Sequence, residues 1–319
     1  MAQREPAERP GGPGAGRSLW ADAFRRLRRD RSAMACLAVI VLYAAVAVGG
    51  VVYEYLAARD PNIPSFADMA RPKLSDLPPT LKHGWMYILG ADWYGKPVLI
   101  KTLLAAKVSM SVGLIANVIA VPLGMFLGAI AGFYGRKTDA FIVWLFSTLA
   151  SIPGLVLLIA LKYAFQGIKI GPLDLSGIHG LYIALGIFSW IGTCRLVRAE
   201  VMKIRELEYV LAARAVGTNS FVILLRHVMP NVLHLGIINF SLGFVGAIKA
   251  EVLLSYLGLG VEVGTPSWGS MINAARLNLY MGKYWELTAA VGAMFFLVLA
   301  LNIFGDRLRD AFDPRLRTA

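Results

Sequence analysis

The feature that most constrains this chain is a series of long apolar stretches without acidic or basic residues. A transmembrane helix needs about 20 consecutive, predominantly apolar residues. Five stretches reach or approach this length: Met34–Tyr53, Val108–Tyr134, Ala140–Leu161, Val232–Ile248 and Leu287–Gly305. A sixth, Ile178–Cys194, is shorter and carries His179 near its start. The pattern predicts an all-α polytopic membrane protein with six transmembrane helices.

The charge content favours a membrane protein over a soluble one. Only 16% of the residues are charged and 57% are apolar, whereas soluble domains carry about 25% charged residues. The net charge of +12 does not indicate a nucleic-acid partner, because the basic residues lie between the apolar stretches. The two cysteines lie inside apolar runs and the histidines lack metal-ligand spacing. We therefore expect neither a disulfide framework nor a metal site.

The distribution of arginine predicts which side of the membrane each segment faces. Cytoplasmic loops carry an excess of Lys and Arg. With the N-terminus inside, the outer segments contain only Arg59, Arg71 and Arg276 among the arginines. Both termini are therefore predicted to be cytoplasmic, in a chain that spans the inner membrane several times.

The predicted spans divide the chain into five parts. Residues 1–33 form a cytoplasmic tail, and residues 34–57 form the first transmembrane helix, which is too long for a cleaved signal peptide. Residues 58–102 form an extracytoplasmic loop. Residues 103–305 form a core with five further transmembrane helices, and 306–319 form a cytoplasmic tail.

Two of these parts have features of their own. The first 18 residues are rich in Pro, Gly and Arg, which is typical of a disordered tail. Five arginines just before the first span are expected to contact anionic lipid: Arg25, Arg26, Arg28, Arg29 and Arg31. The outer loop combines six prolines with mixed charges. Its composition fits either a cap over the bundle or a contact with an outer partner.

Small residues in the second predicted span indicate close helix packing. Gly124, Gly128 and Gly132 recur every four residues on one helical face, which lets another helix approach. Pro122 and Pro153 interrupt helical hydrogen bonding within their spans, so we expect a kink at each.

The segment 195–231 between two spans has the strongest functional pattern. Arg198–Val216 is predicted to form one helix, and Gly217 supplies the left-handed position that ends it. The next polar residues are suited to cap a second helix, Phe221–Val228, which Pro230 is expected to stop before the next span. That second helix is apolar along much of its length. It either packs under its own bundle or enters a groove on another protein, and the residues alone leave both open.

This segment resembles the Glu-Ala-Ala loop of ATP-binding-cassette (ABC) importer permeases. In that family the triplet is followed by three residues, a glycine and, further on, a hydrophobic-Pro element. Four residues match in register: Ala212, Ala213, Gly217 and Pro230. The glutamate position holds Leu211, a departure from the family pattern. Glu208 matches a glutamate common in the peptide branch.

Four further stretches extend the resemblance to residues 20–317. They are Ala250–Gly260, Thr265–Gly269, Asn302–Arg315 and Leu89–Lys96, the last departing from the family at Lys96 and the following proline. They are similar to the peptide and nickel permeases. The chain is thus identified as a member of the C-type permeases of dipeptide and oligopeptide importers, with nickel or another small solute as the alternative cargo.

The resemblance implies a type I importer permease fold with a cytoplasmic coupling helix. The chain has no Gly-x-x-x-x-Gly-Lys-Ser/Thr phosphate loop, so we expect no enzymatic activity and no bound cofactor. By resemblance, two separate ATPase subunits hold ATP and Mg²⁺, a second homologous permease forms a heterodimer with this chain, and an extracytoplasmic binding protein delivers the substrate. Six residues are implied in ATPase coupling: Glu208, Ala212, Ala213, Gly217, Phe221 and Pro230.

Two polar residues in or near the spans are candidates for a gate or the transport pathway. Asn117 lies within the second span, where an interhelical hydrogen bond and pore lining are both open to it. Glu251 is either a gate residue or lies at the outer interface beside Lys249.

Two other classes of protein fit the sequence less well. A secondary transporter often shows internal repeats with broken, charged helices, and no repeat is visible here. A membrane-embedded enzyme needs paired acids, a histidine cluster or a nucleophile at catalytic spacing, and the spans contain none.

Overall fold

The computed structural model describes residues 19–171, 173–262 and 264–312. Within these ranges the secondary structure is helical apart from one two-stranded hairpin. The disordered tail predicted for residues 1–18 lies outside the described residues, as does the end of the tail predicted for 306–319.

Eleven α-helices are assigned in the described chain. They are α1 (Leu19–Arg29), α2 (Arg31–Ala57), α3 (Val98–Tyr134), α4 (Arg136–Ala150), α5 (Gly154–Ala164), α6 (Ile178–Ile204), α7 (Glu208–Ala215), α8 (Ser220–Ile223), α9 (Met229–Tyr256), α10 (Trp268–Leu279) and α11 (Trp285–Phe312). Strands β1 (Lys169–Ile170) and β2 (Leu173–Asp174) pair antiparallel between α5 and α6. Short 3₁₀ turns at Pro72–Leu74 and Trp85–Tyr87 lie between α2 and α3.

The membrane spans follow the apolar pattern of the sequence with one correction. Among the described residues, five continuous helical stretches are long and apolar enough to span a bilayer: α2, α3, α6, Ser220–Tyr256 and α11. Helices α4 and α5 pass the same test only as a pair, bent by 91°. The six-span prediction is confirmed when this pair counts as one span, but the single helix predicted for Ala140–Leu161 is wrong. Pro153 precedes α5 and has no N–H to continue α4, so the chain breaks there rather than kinks.

The glycine face predicted in the second span packs against α6. A Cβ atom on Gly124 would lie 2.6 Å from the Trp190 carbonyl oxygen, and one on Gly128 would lie 2.5 Å from that of Cys194. The two backbones therefore approach more closely than any side chain allows. This contact makes α3 and α6 the central pair of the bundle.

Both ends of the described chain lie on the side of the bundle where α6 ends and α9 begins. The Arg307 guanidinium of α11 lies 3.4 Å from the carboxylate of Asp30, the N-cap of α2. The rings of His234, near the start of α9, and Phe312 stack with centroids 6.2 Å apart. The start of α2 and the end of α11 are therefore close to the connection between α6 and α9.

The segment between α2 and α3 packs onto the opposite end of the bundle. The Trp285 indole N–H of α11 donates to the Ala91 carbonyl at 2.8 Å, and the Lys283 ammonium lies 2.7 Å from Asp76. Gly90 contacts the same indole so closely that a Cβ would lie 2.9 Å from it. This part of the loop is thus a cap over the starts of α3 and α11, one of the two roles that its composition allowed.

Candidate functional site

The α6–α9 connection, residues 205–228, is built from two short helices and two tight turns. Helix α6 runs on to Ile204, and the chain turns through residues 205–207 before α7 begins at Glu208. The single helix predicted for Arg198–Val216 is therefore wrong. Arg205 turns its guanidinium back to the end of α3, where it donates to the Gly132 carbonyl at 2.9 Å. This bond holds the turn against the bundle.

Gly217 ends α7 as the sequence predicts. Its φ is +81°, in the left-handed region that glycine adopts without strain. The Thr218 N–H donates to the Ala213 carbonyl, and the Gly217 N–H donates to the Arg214 carbonyl, the two hydrogen bonds of a Schellman motif. The Asn219 side chain then caps α8 by accepting from the Phe221 N–H at 2.8 Å. The bend between the two helices is therefore fixed by local hydrogen bonds.

Substitution of Gly217 is expected to act through backbone strain inside this chain. No described atom lies within 4 Å of a Cβ built on Gly217, so added bulk meets nothing here. A non-glycine residue in the left-handed region costs about 1–2 kcal/mol. We expect Gly217→Val to raise amide hydrogen exchange in α7 and α8, while Gly217→Asn, which tolerates this conformation, leaves it nearly unchanged. Equal exchange in both variants would contradict this account.

Pro230 does not stop a helix, contrary to the prediction. It lies at the start of α9, within the continuous helical stretch Ser220–Tyr256. The preceding residues, Leu224–Val228, form a π-helical turn, and the Met229 N–H donates to the Leu224 carbonyl. This wider turn carries the helix past the proline ring. Helix α8 is thus continuous with the transmembrane helix that follows it.

One face of the α6–α9 connection belongs to the hydrophobic core of the bundle. Val210, Ile223 and Val228 are fully buried and pack with Phe133 of α3 and Val201 of α6. These contacts tie both short helices to two different spans. A force on the connection is therefore transmitted to α3 and α6.

Two polar contacts hold α7 in the same position. The Arg214 guanidinium lies over the Phe133 ring, 5.0 Å from its centroid. The Asn231 amide at the start of α9 donates to the Tyr209 hydroxyl at 3.0 Å. Helix α7 is thus linked to α3 at one end and to α9 at the other.

The opposite face of the connection is apolar and exposed. Six large apolar side chains there are at least two-fifths exposed: Leu207, Leu211, Val216, Phe221, Val222 and Leu225. Val216, at the tip beside Gly217, is 85% exposed. The apolar residues of the predicted second helix therefore divide: Ile223 packs under the bundle, whereas Phe221 and Val222 face outward. Packing under the bundle is thus observed for Ile223, whereas entry into a groove on another protein stays a prediction for the exposed residues.

The other residues predicted for coupling lie on the same connection. Glu208, Ala212 and Pro230 are exposed, and Ala213 is half-buried against the core cluster. Small side chains at Ala212 and Ala213 keep the surface between the exposed apolar residues low. This mixture of exposed apolar side chains and small residues is suited to contact with another protein.

Glu251 lies inside the bundle rather than at an interface with solvent or headgroups. Its side chain is fully buried, and the Ser255 hydroxyl donates to one of its oxygens at 2.7 Å. Its other oxygen has no hydrogen-bond partner among the described residues. Lys249 is exposed. Because Glu251 is instead fully buried, the interfacial position considered for both residues is wrong for Glu251.

Asn117 is also buried, at the contact between α3 and α9. Its amide donates to the Gly113 carbonyl of its own helix at 2.7 Å, so the hydrogen bond considered between helices is instead made within α3. Its side-chain oxygen lies against Gly243 of α9, where a Cβ would approach it to 2.1 Å. Asn117 therefore acts in this structure as a packing residue between two spans.

A buried ion cluster, not predicted from the sequence, lies at the end of the bundle where α3 and α11 begin. The Lys101 ammonium of α3 lies 2.8 Å from Asp92 of the α2–α3 segment and 2.7 Å from Glu286 of α11. The two carboxylate side chains are only 3% and 4% exposed. Lys101 and Glu286 lie close to apolar stretches of the sequence, whereas Asp92 lies in the predicted loop between the first two spans. Nothing in the sequence shows that they meet.

Comparison with known proteins agrees with the predicted family. Residues 124–318 match the family described as binding-protein-dependent transport system inner membrane component. Residues 18–79 match the N-terminal transmembrane domain of oligopeptide transport permease C. The two matches together cover both the first span and the core that contains the α6–α9 connection.

Three curated relatives are similar over nearly the whole chain. A dipeptide transport system permease protein of Bacillus subtilis is 32% identical over 93% of this chain and 86% of its own length. An oligopeptide transport system permease protein of the same organism is 31% identical over 94% and 91%. A glutathione transport system permease protein of Pectobacterium atrosepticum is 31% identical over 95% and 93%.

Proposed function

Because this chain belongs to the family of binding-protein-dependent transport system inner membrane components, we propose that it forms half of the translocation pathway of an ABC importer for dipeptides or oligopeptides. It is a multi-pass inner-membrane protein with a type I importer permease fold. Coupling to separate ATPase subunits is supported by the exposed apolar face of the α6–α9 connection, which is held in place by the buried contacts of its other face.

Peptide cargo is supported by the relatives. Their names include dipeptide, oligopeptide and glutathione transport, and all of these substrates contain peptide bonds. Nickel chelates and other small solutes, the alternative from the sequence, are not named among these three relatives. We therefore place peptides first.

The partners follow from the family and from the missing phosphate loop. We propose two ATPase subunits that bind ATP and Mg²⁺, a second homologous permease that makes a heterodimer with this chain, and an extracytoplasmic binding protein. The arginine distribution supports cytoplasmic termini. So does the position of the described chain ends, which lie beside the connection that would meet the ATPase.

The proposed coupling works as a lever. An ATPase groove holds the exposed face of the connection, and its movement pulls α7 and α8 as one unit because the Schellman motif fixes their angle. Val210 and Ile223 pass this displacement to Phe133 and Val201 in the spans. Two states of the bundle then differ by the contacts that the lever makes in each.

Glu251 remains our candidate for a gate residue, and Asn117 remains a candidate pathway residue although it packs between α3 and α9 in this structure. A buried carboxyl group in a span is costly, and such residues commonly mark functional sites. Glu251 contacts Ser255 near the start of the α9–α10 loop. We expect Glu251→Gln to fold and to assemble with its partners, because the amide has the same shape, but to transport at least several-fold more slowly. Uptake measured in proteoliposomes at the wild-type rate would exclude the gate role.

Reconstitution of the complete complex tests the proposed function. The chain is purified with its neighbouring permease, ATPases and binding protein, and uptake of radiolabelled dipeptide and of nickel is measured in proteoliposomes with internal ATP. We expect dipeptide uptake that requires ATP and the binding protein. Uptake of nickel but not of dipeptide would contradict the proposed peptide cargo. Uptake without any ATPase would contradict the proposal that the complex is an ATP-driven importer.

A further inference from the structure

An apolar cleft of about 460 Å³ lies between α2, α3, α9 and α11, separate from the exposed face of the α6–α9 connection. Its wall is formed by residues such as Ile40, Met125, Phe240 and Phe304, and Ser241 is the one hydroxyl-bearing residue among the described lining residues. Hydrophilic cargo would lose its hydration here without gaining hydrogen bonds. The cleft is therefore unsuited to peptides and suited to hydrocarbon.

The length of the cleft matches one leaflet of a bilayer. Along α9 its lining residues run from Leu233 to Phe244, which corresponds to about 17 Å at a rise of roughly 1.5 Å per residue. The hydrocarbon core of one leaflet is about 15 Å thick, half of the whole core. An acyl chain that enters from the leaflet beside the α6–α9 connection would thus be covered over its full length.

One end of the cleft lies near helix α1, which carries several arginines. Leu308 lines its end, and the adjacent Arg307 contacts Asp30 at the junction of α1 and α2. Helix α1 presents Arg25, Arg28 and Arg29 on its exposed surface. No ion pair involves these three arginines in the described part of the chain, so their charges are available to an anion.

A hydrophobic side chain accompanies these arginines. Phe24 of α1 is 68% exposed and borders the same surface depression as Arg25, Arg28 and Arg29. A helix that exposes arginine next to an aromatic ring is typical of one that lies at the membrane interface. The headgroup level of the bilayer is therefore expected at α1, at the end of the cleft.

We propose that the cleft holds one acyl chain of an anionic phospholipid whose phosphate lies against the arginines of α1. The apolar wall supplies the affinity for the chain, and the arginines select the headgroup, because basic clusters beside transmembrane helices favour anionic lipids. The site needs only the membrane location of the chain. It does not depend on the cargo or on ATP.

Native mass spectrometry of the detergent-purified full chain tests the headgroup part. Phosphatidylglycerol and phosphatidylcholine with identical acyl chains are compared at equal concentrations. We expect one phosphatidylglycerol to be retained per chain, with roughly tenfold preference, and Arg28→Gln with Arg29→Gln to remove that preference. The double variant Arg136→Gln with Lys137→Gln removes the same charge from the start of α4 and should retain it. Equal retention of both lipids by the wild type would overturn the proposal.

A substitution that fills the cleft tests whether the acyl chain binds there. Leu233 and Leu242 both lie on α9 and are 45% and 43% exposed, but only Leu233 lines the cleft. We expect Leu233→Trp to lose the retained lipid several-fold and Leu242→Trp to keep it. Competition by inorganic phosphate as effective as that by intact lipid would show a simple anion site. Loss of the lipid when the second permease binds would show that the cleft belongs to the subunit interface. Either result would overturn the acyl-chain assignment.

Discussion

Replacing Phe221 with Ala is expected to weaken ATPase binding at least tenfold while leaving the fold of the permease intact. The side chain is 49% exposed on the outer face of the α6–α9 connection. Exposed aromatic residues at the centre of a docking surface commonly contribute more than about 1.4 kcal/mol to binding, which is a factor of ten. The variant should therefore lose ATP-driven uptake in step with its loss of affinity.

The measurement compares Kd and thermal stability in the same variants. Permease in nanodiscs is titrated with purified ATPase, and unfolding is followed separately by heating. Phe141→Ala is a matched control, because Phe141 is 60% exposed on α4, outside the connection, and its loss should change neither quantity. Ile223→Ala should show the opposite behaviour to Phe221→Ala, because Ile223 is fully buried in the core cluster. A wild-type Kd for Phe221→Ala would exclude this face as the docking surface.

The sequence predicted the parts of this fold that depend on local pattern. Apolar runs predicted the spans, because a helix that crosses the bilayer needs about 20 consecutive, mostly apolar residues. Gly217 could be assigned to a helix end because its conformation is a property of one residue. The cap at Asn219 could be predicted for the same reason, because its side chain accepts a hydrogen bond from an N–H only two residues further along the chain.

Errors arose where a distant contact decided the local structure. Arg205 turns the chain after α6 by bonding to Gly132, 73 residues earlier, and no glycine or proline marks that turn. Pro230 looked like a helix stop, yet a π turn upstream lets α8 and α9 continue past it. Local propensity could not show either result, because both depend on how the bundle packs.

The candidate site was predicted only in part, because the exposure of its side chains also depends on how the bundle packs. Resemblance to the permease family identified the residues of the α6–α9 connection. It did not show which of the apolar residues face outward. Ile223 and Val222 are neighbours with opposite exposure, and a short helix beside a bundle gives no sequence period long enough to separate them. The ion cluster at Lys101 was missed altogether, since Lys101 and Glu286 are 185 residues apart.

Replacing Lys101 with Met is expected to give the largest loss of stability of any single substitution considered for this chain. It would leave Asp92 and Glu286 buried side by side without a cation, when each is almost inaccessible to water. Removing one partner of a buried ion pair costs about 3–5 kcal/mol. Thermal unfolding in nanodiscs should shift strongly downward. The cap formed by the α2–α3 segment, which Asp92 ties to α3, should become sensitive to protease.

A triple variant separates charge from packing in this cluster. Lys101→Met combined with Asp92→Asn and Glu286→Gln removes all three charges while keeping the side chains close in size, so it should recover most of the lost stability. Lys107→Met is the matched control on the same helix. Lys107 pairs with Glu54, which is 41% exposed, and a solvent-accessible pair contributes at most about 1 kcal/mol. If the triple variant unfolds as early as the single one, the unpaired carboxylates are not the cause, and the lysine stabilises the cap through its packing and hydrogen bonds instead.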